Sequence, residues 1–411
     1  MKKLLVDPLF IFVSVWTVVF VLFSLRWSAI LLTMDASFRS WSLVVLCTAF
    51  CGYVGGRLAA IATYSRRQIL DDPRPLQRAI RTIVFAMAVI VPLEIVVSGG
   101  LPILWRLQGN SKIYTDYGIP TLHGFFNALL LFVGTVSFWF ITSRGASTGM
   151  KLLFLFCIVF PVLAVTRQVL VSLIVQCLVV FIGARLRSPE RVLARLAVAA
   201  LVAMAAFAAI GDFRTSDEGF YQQAEILPQG SWMPPSIAWH YMYLTTPVNN
   251  FLYMTQTATQ RTHGAQSLAT LTPTVVRKAW FGDDAGLPPK LVKETFNVTS
   301  YATPLFLDFG WIGVIGFTLV MFLLAGFAYE RFLERNDLAT LIFLAVIDQI
   351  VLFTFFVNFL LTWGVLFQLF LVLVLHRRLG LITATVRRRK SRRVARRLRI
   401  LAPAAPKPFL P

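Results

Sequence analysis

Apolar positions in this chain come in long blocks separated by short polar joints. A bilayer core of about 30 Å takes roughly 20 apolar residues per helix. Stretches of about that length recur at residues 8–25, 41–62, 82–104, 121–142, 152–166, 168–184, 194–210, 305–328, 338–357 and 359–376. The pattern predicts an all-α polytopic membrane protein of about ten spans. No small-residue cleavage site follows the first block, so it is expected to stay as a span. The stretch from Leu152 to Gly183 is broken only around Thr166, Arg167 and Gln168. As one helix it would reach about 48 Å, and it would hold an arginine near mid-bilayer at high cost. Two short spans with Arg167 at the turn between them avoid both problems.

Composition agrees, with 57% hydrophobic and 14% charged residues. A soluble domain has about 45–50% and about 25%. Cys47, Cys51, Cys157 and Cys177 all fall inside apolar runs and read as packing residues. The net charge of +20 would point to nucleic acid in a soluble chain. Here its distribution matters more. Most Lys and Arg fall in Lys2 and Lys3, the Arg66–Arg81 cluster, Arg144 and Lys151, Arg185–Arg195, Arg331 and Arg335, and the tail from Arg377. With an even span count, these segments share one side. The positive-inside bias makes that side cytoplasmic, with both termini there. The tail RRRKSRRVARRLRI is expected to bind anionic lipid, at about 1 kcal/mol per basic residue, and not nucleic acid. The expected organisation is a bundle of about seven spans over 1–210, a large far-side loop over 211–304, about three spans over 305–376, and a basic tail over 377–411.

The loop is too long for a passive connector. Its segment SWMPPSIAWHYMYLTTPVNNFLYMTQ is rich in Trp and Tyr, which suits short amphipathic helices at the membrane interface. There is no P-loop, dinucleotide fingerprint, HExxH or CxxC, so no metal or cofactor is expected. Asp283-Asp284 reads as a solvated turn. The far side does carry arginine: Arg167, Arg214, Arg261 and Arg277. Guanidinium forks match phosphate oxygens bidentately, so this set suits a phosphate- or pyrophosphate-bearing lipid head group. Loop salt bridges are the alternative. His240 is either a general base or part of an aromatic cluster, and His263 reads as a turn residue. Asp308 is either a charge at a helix N-terminus or an arginine partner. Asp348, Glu94 and Arg57 lie within spans, where an ionisable group marks either function or a structural pair.

Three segments resemble the bacterial O-antigen polymerases, the Wzy-type repeat-unit polymerases related to the O-antigen ligases. They are SRGASTGMKLLFLFCIVFPVLAVTRQVLVSLIVQCLVVF, HYMYLTTPVNNFLYM and NVTSYATPLFLDFGWIGVIGFTLVMFLLAG. The likeness runs over residues 120–330. It implies a GT-C-like membrane glycosyltransferase of the bacterial inner membrane, with the large loop periplasmic. The donor would be a glycan on undecaprenyl pyrophosphate and the acceptor another lipid-linked repeat unit. Transfer would invert the anomeric centre and need no metal. By this resemblance Arg167 and Arg214 would bind pyrophosphate, the role that the arginine set above also suggests for Arg261 and Arg277. His240 would be the base, and Tyr243, Tyr301 and Asp308 would line the glycan site. A chain-length regulator is a further expected partner. An O-antigen ligase, with lipid A core as acceptor, and a flippase for lipid-linked sugars are the rival readings.

Overall fold

The computed structural model describes residues 3–63, 74–143, 146–184, 217–281, 291–293 and 295–377. The expected span at 194–210, Arg214, Asp283-Asp284 and the tail beyond Arg377 lie outside the described residues. Among the described residues every regular element is a helix, and seven helices are long and apolar enough to cross a membrane. The chain is an all-α polytopic membrane protein.

The helices used below are α1 (Pro8–Leu25), α2 (Ala36–Ala62), α3 (Arg74–Ser98), α4 (Pro102–Leu107), α5 (Leu122–Ser143), α6 (Thr148–Leu163) and α7 (Arg167–Ala184). They continue with α8 (Asp217–Ala224), α9 (Pro235–Thr257), α10 (Ala265–Leu271), α11 (Thr274–Phe281), α12 (Ala302–Arg335) and α13 (Leu338–Leu352), and end with α14 (Trp363–Arg377). The break expected at Arg167 is present, with Val165 in the left-handed region (φ +55°) between α6 and α7. Helices α6 and α14, both expected as spans, are shorter apolar helices. Polar residues set the helix starts, because the first N–H groups of a helix need outside acceptors. Asp7 accepts from Leu9 and Phe10 at α1, Asp35 from Phe38 at α2, and Ser147 caps α6. Asp337 and Thr340 cap α13 reciprocally.

The bundle has an N-terminal end, which holds residues 3–7, and a loop end, where the described residues between 217 and 301 pack. Burial sorts the helices. Inside the bundle lies 83% of the α13 window, against 17% of the α3 window. Helix α13 is therefore central, and α3 turns apolar side chains such as Phe85 and Val96 outward. An outward apolar belt of this kind has lipid as its solvent.

The closest helix contact is α2 on α12. A Cβ added to Gly56 would lie 2.0 Å from the Leu323 carbonyl oxygen, and one on Gly326 would lie 2.0 Å from the Tyr53 oxygen. Only glycine permits that approach, which is how helices gain contact area where lipid removes the hydrophobic drive. At the N-terminal end the same pair is pinned by polar bonds. Arg57 meets Glu330 at 2.7 Å, Arg331 reaches the Thr63 carbonyl, and the Tyr329 hydroxyl donates to the Lys3 carbonyl. Arg57 is thus a structural ion pair.

Inside the bundle, four helices share a buried amide network. Gln176 of α7 accepts from Thr135 of α5 at 2.7 Å. It donates to Gln349 of α13 at 2.5 Å and pairs with Gln368 of α14. Gln349 donates on to Ser172. Such bonds are worth about 0.6–2 kcal/mol each in a bundle. Asp348, next to Gln349, is fully buried, and neither of its oxygens meets a hydrogen-bond partner.

Helix α9 is packed into the bundle where an interfacial helix was expected. Every residue from Thr245 to Leu252 is buried, because its polar groups find partners. Asn249 accepts from Leu32 N and donates to the Ile30 carbonyl. Asn250 donates to the Phe296 and Val298 carbonyls. By contrast, α11 leaves Lys278 and Trp280 exposed.

Overpacking costs about 1–3 kcal/mol or more. Gly326→Leu is expected to lose at least about 3 kcal/mol, read as a lowered melting temperature in detergent. Gly316→Ala, whose added Cβ would meet nothing within 4 Å, is the matched control and should melt with the wild type.

Candidate functional site

The loop end gathers most of the described residues singled out in the sequence. Helix α9 starts at Pro235 behind Pro234. It presents Trp239, His240 and Tyr243 in its first turns. The His240 Nδ1 lies 2.6 Å from the Ser236 carbonyl oxygen. A carbonyl only accepts, so Nδ1 carries the proton in the neutral ring and Nε2 bears the lone pair. That Nε2 is buried. Tyr243 stacks on Trp239 (5.6 Å) and approaches Phe356 (6.0 Å), just beyond α13. The helix is held from behind by Tyr241, whose hydroxyl accepts from Trp27 N at 2.9 Å. Burial pushes that phenol up to about 12, with the Trp27 bond opposing in part.

Arg167 opens α7 at the same level. Helices α7 and α13 are antiparallel neighbours tied by the Ser172–Gln349 bond at 3.0 Å. At 1.5 Å per residue, Arg167 lies about 7.5 Å beyond that bond and the end of α13 about 4.5 Å beyond it. Arg167 and the His240–Tyr243 face therefore border the loop end of α13 from two sides. The Arg167 Nε and Nη1 are buried.

Arg261 lies elsewhere. Its guanidinium donates to the Phe306 carbonyl at 2.7 Å and stacks on that ring at 4.4 Å. It covers Gly310, where α12 kinks in a left-handed conformation (φ +66°). Asp308 serves as a charge at a helix N-terminus, that of α10 rather than of its own helix. It is fully buried and accepts from the Thr262 hydroxyl (2.5 Å), Gln266 N (3.0 Å) and Ser267 N (2.8 Å). It caps α10 from across the chain. Tyr301 is also scaffold: its hydroxyl pairs with Thr318 at 2.7 Å, and its carbonyl accepts from Asn358. Tyr301 and Asp308, expected to line a glycan site, are both buried and spend their polar groups on contacts within the protein. Arg277 is half-buried on α11, with its Nε buried and without a partner.

Tyr301 instead lines an apolar cavity of about 250 Å³ between α1, α2 and α12, with Trp16, Phe20, Phe38, Phe251 and Trp311. One constellation had no sequence signal. Glu94 and His123 pair at 3.0 Å across 29 residues. Among the described residues, no group of three or more His, Cys, Asp or Glu is placed to hold a metal ion.

Removing the Asp308 carboxylate takes the acceptor from two half-buried N–H groups, at a cost of about 1–3 kcal/mol. Asp308→Ala should raise amide hydrogen exchange in residues 265–271 before it affects α13, which mass spectrometry resolves. No family model, curated protein or solved structure matches the chain.

Proposed function

We propose that the chain is a glycosyltransferase that polymerises lipid-linked oligosaccharide repeat units. The growing glycan moves from undecaprenyl pyrophosphate to a new lipid-linked unit. The carrying observation is Arg167, half-buried and level with the His240–Tyr243 face. A head group rising from the lipid would enter at that level. The apolar cavity between α1, α2 and α12 suits a polyprenyl tail. In this reading the loop end faces the periplasm, both termini are cytoplasmic, and the membrane is the bacterial inner membrane. The charge bias of the sequence supports that orientation.

The chemistry needs few parts. An acceptor hydroxyl oxygen attacks the anomeric carbon of the donor. The carbon–oxygen bond to pyrophosphate breaks, and the lipid pyrophosphate leaves with the bonding electrons. Arginine stabilises the charge that develops there, at Arg167 and, in this proposal, at Arg214 and Arg277, whereas Arg261 is spent on Phe306. The hydroxyl proton passes to a loop-end histidine, for which His240 is the candidate from sequence. The activation resides in the donor, so no nucleotide is consumed. A ligase acting on lipid A core would use the same parts. A transporter of lipid-linked sugars is the second reading, favoured by Asp348 and the amide network deep in the bundle.

The test is complementation of a strain that lacks its own polymerase. The wild type should restore a polymer ladder. Arg167→Ala should cut it by at least about 100-fold, the scale of losing one transition-state donor, while Arg167→Lys should recover only part. A full ladder from Arg167→Ala would defeat the pyrophosphate role. Single repeat units delivered without chain growth would favour transport.

A further inference from the structure

At the loop end, α3 and α5 bring a carboxylate to a histidine. Glu94 is fully buried and lies one turn before the end of α3. Its Oε2 takes His123 Nδ1 at 3.0 Å. A carboxylate on Nδ1 fixes the tautomer, holds the ring and stabilises the imidazolium formed on proton uptake. The His123 side chain is 20% exposed. Its Nε2 makes no hydrogen bond and is not buried.

The surroundings form a built site. The connection between α4 and α5 folds over the imidazole at Gly118, where φ is +93° and a Cβ would lie 2.6 Å from the ring. Gly118 N is fixed by the Ser98 hydroxyl at 2.9 Å. Tyr117 stands edge-on to the imidazole at 5.4 Å. Burial, and then the nearby Glu94 charge, push its phenol up to about 12, so it is a donor at neutral pH. Lys112 approaches from the same connection and is spent on the Ser98 carbonyl. Helix α6 contributes only the Phe160 ring. Three buried polar atoms in this cluster lack any partner: Glu94 Oε1, Tyr117 OH and Thr121 Oγ1. Buried orphans are costly, and native proteins keep few of them. An acceptor and two hydroxyls in the segments that hold an imidazole with an accessible nitrogen suit a sugar hydroxyl, which both donates and accepts.

We propose that His123 is the base that takes the proton from the acceptor saccharide hydroxyl, with Glu94 as its positioning residue. The proposal rests on the glycosyltransferase reading and moves the base from His240 to His123. His240 donates its Nδ1 proton to a backbone carbonyl, and its Nε2 is buried. In the step, the hydroxyl oxygen bonds to the anomeric carbon, the bond to pyrophosphate breaks, and the proton moves to His123 Nε2 and then to water.

The test uses the full chain in lipid nanodiscs with undecaprenyl-pyrophosphate-linked repeat units. His123→Gly should lower turnover by about 10²- to 10⁴-fold, the usual worth of a general base, with little change in KM. Added imidazole should restore part of the rate by filling the vacated space. Glu94→Gln should lower turnover at constant KM, and imidazole should not restore it. His240→Gly should show no rescue. A His123→Gln protein with wild-type turnover overturns the assignment. So does a His123→Gly protein that imidazole cannot revive, because that loss is one of packing. A wild type that transfers no glycan removes the glycosyltransferase reading, and this assignment with it.

Discussion

Helix α12 runs the length of the bundle although Gly310 breaks it near its start, and it can do so because α2 lies against it backbone to backbone. The contact at Gly52, Gly56 and Gly326 leaves no room for a side chain. It turns two helices into one rigid wall. Both ends of the molecule hang from that wall. At the N-terminal end, Glu330 and Arg331 tie back to α2, and Tyr329 ties to the segment before α1. At the loop end, the short piece before the Gly310 kink carries Asp308, which caps α10. Just before it, Tyr301 joins the turn after α13. The candidate site is thus placed by dispersion and geometry in a lipid solvent, where apolar area alone gives helices no reason to associate.

A second constraint is polar satisfaction. The bilayer core offers no water to orphaned groups, and the described helices answer this in two ways. The amides of Gln176, Gln349 and Gln368 satisfy one another across three helices. Asn249 and Asn250 let α9 sink into the bundle by capturing loop carbonyls. Against that background, the unpartnered oxygens of Asp348 and of the Glu94 cluster stand out as departures from the rule.

Much of the membrane architecture was legible in the sequence because apolar block length maps directly onto bilayer thickness. The break at Arg167 was legible for the same reason, since a single helix would have been too long and would have held a cation in lipid. The glycine contact was also open to a sequence reader, as Gly52 and Gly56 form the small-xxx-small spacing of close helix pairs. The roles of Asp308 and Tyr301 were not. Their partners lie up to 57 residues away, and no local period encodes which buried hydroxyl or N–H a side chain will meet. The Glu94–His123 pair was hidden in the same way. Glu94 alone read as an ionisable group within a span, and only the fold brings it to 3.0 Å from His123.

Reconstitution tests the central claim most directly. The purified protein would be placed in vesicles with undecaprenyl-pyrophosphate-linked repeat units and no nucleotide, and the lipid-linked products separated by size. The proposed chemistry predicts a ladder of lengthening glycans that remain on the lipid, with free undecaprenyl pyrophosphate released for each unit added. Lipid-linked units that stay single, with no undecaprenyl pyrophosphate released, would contradict it.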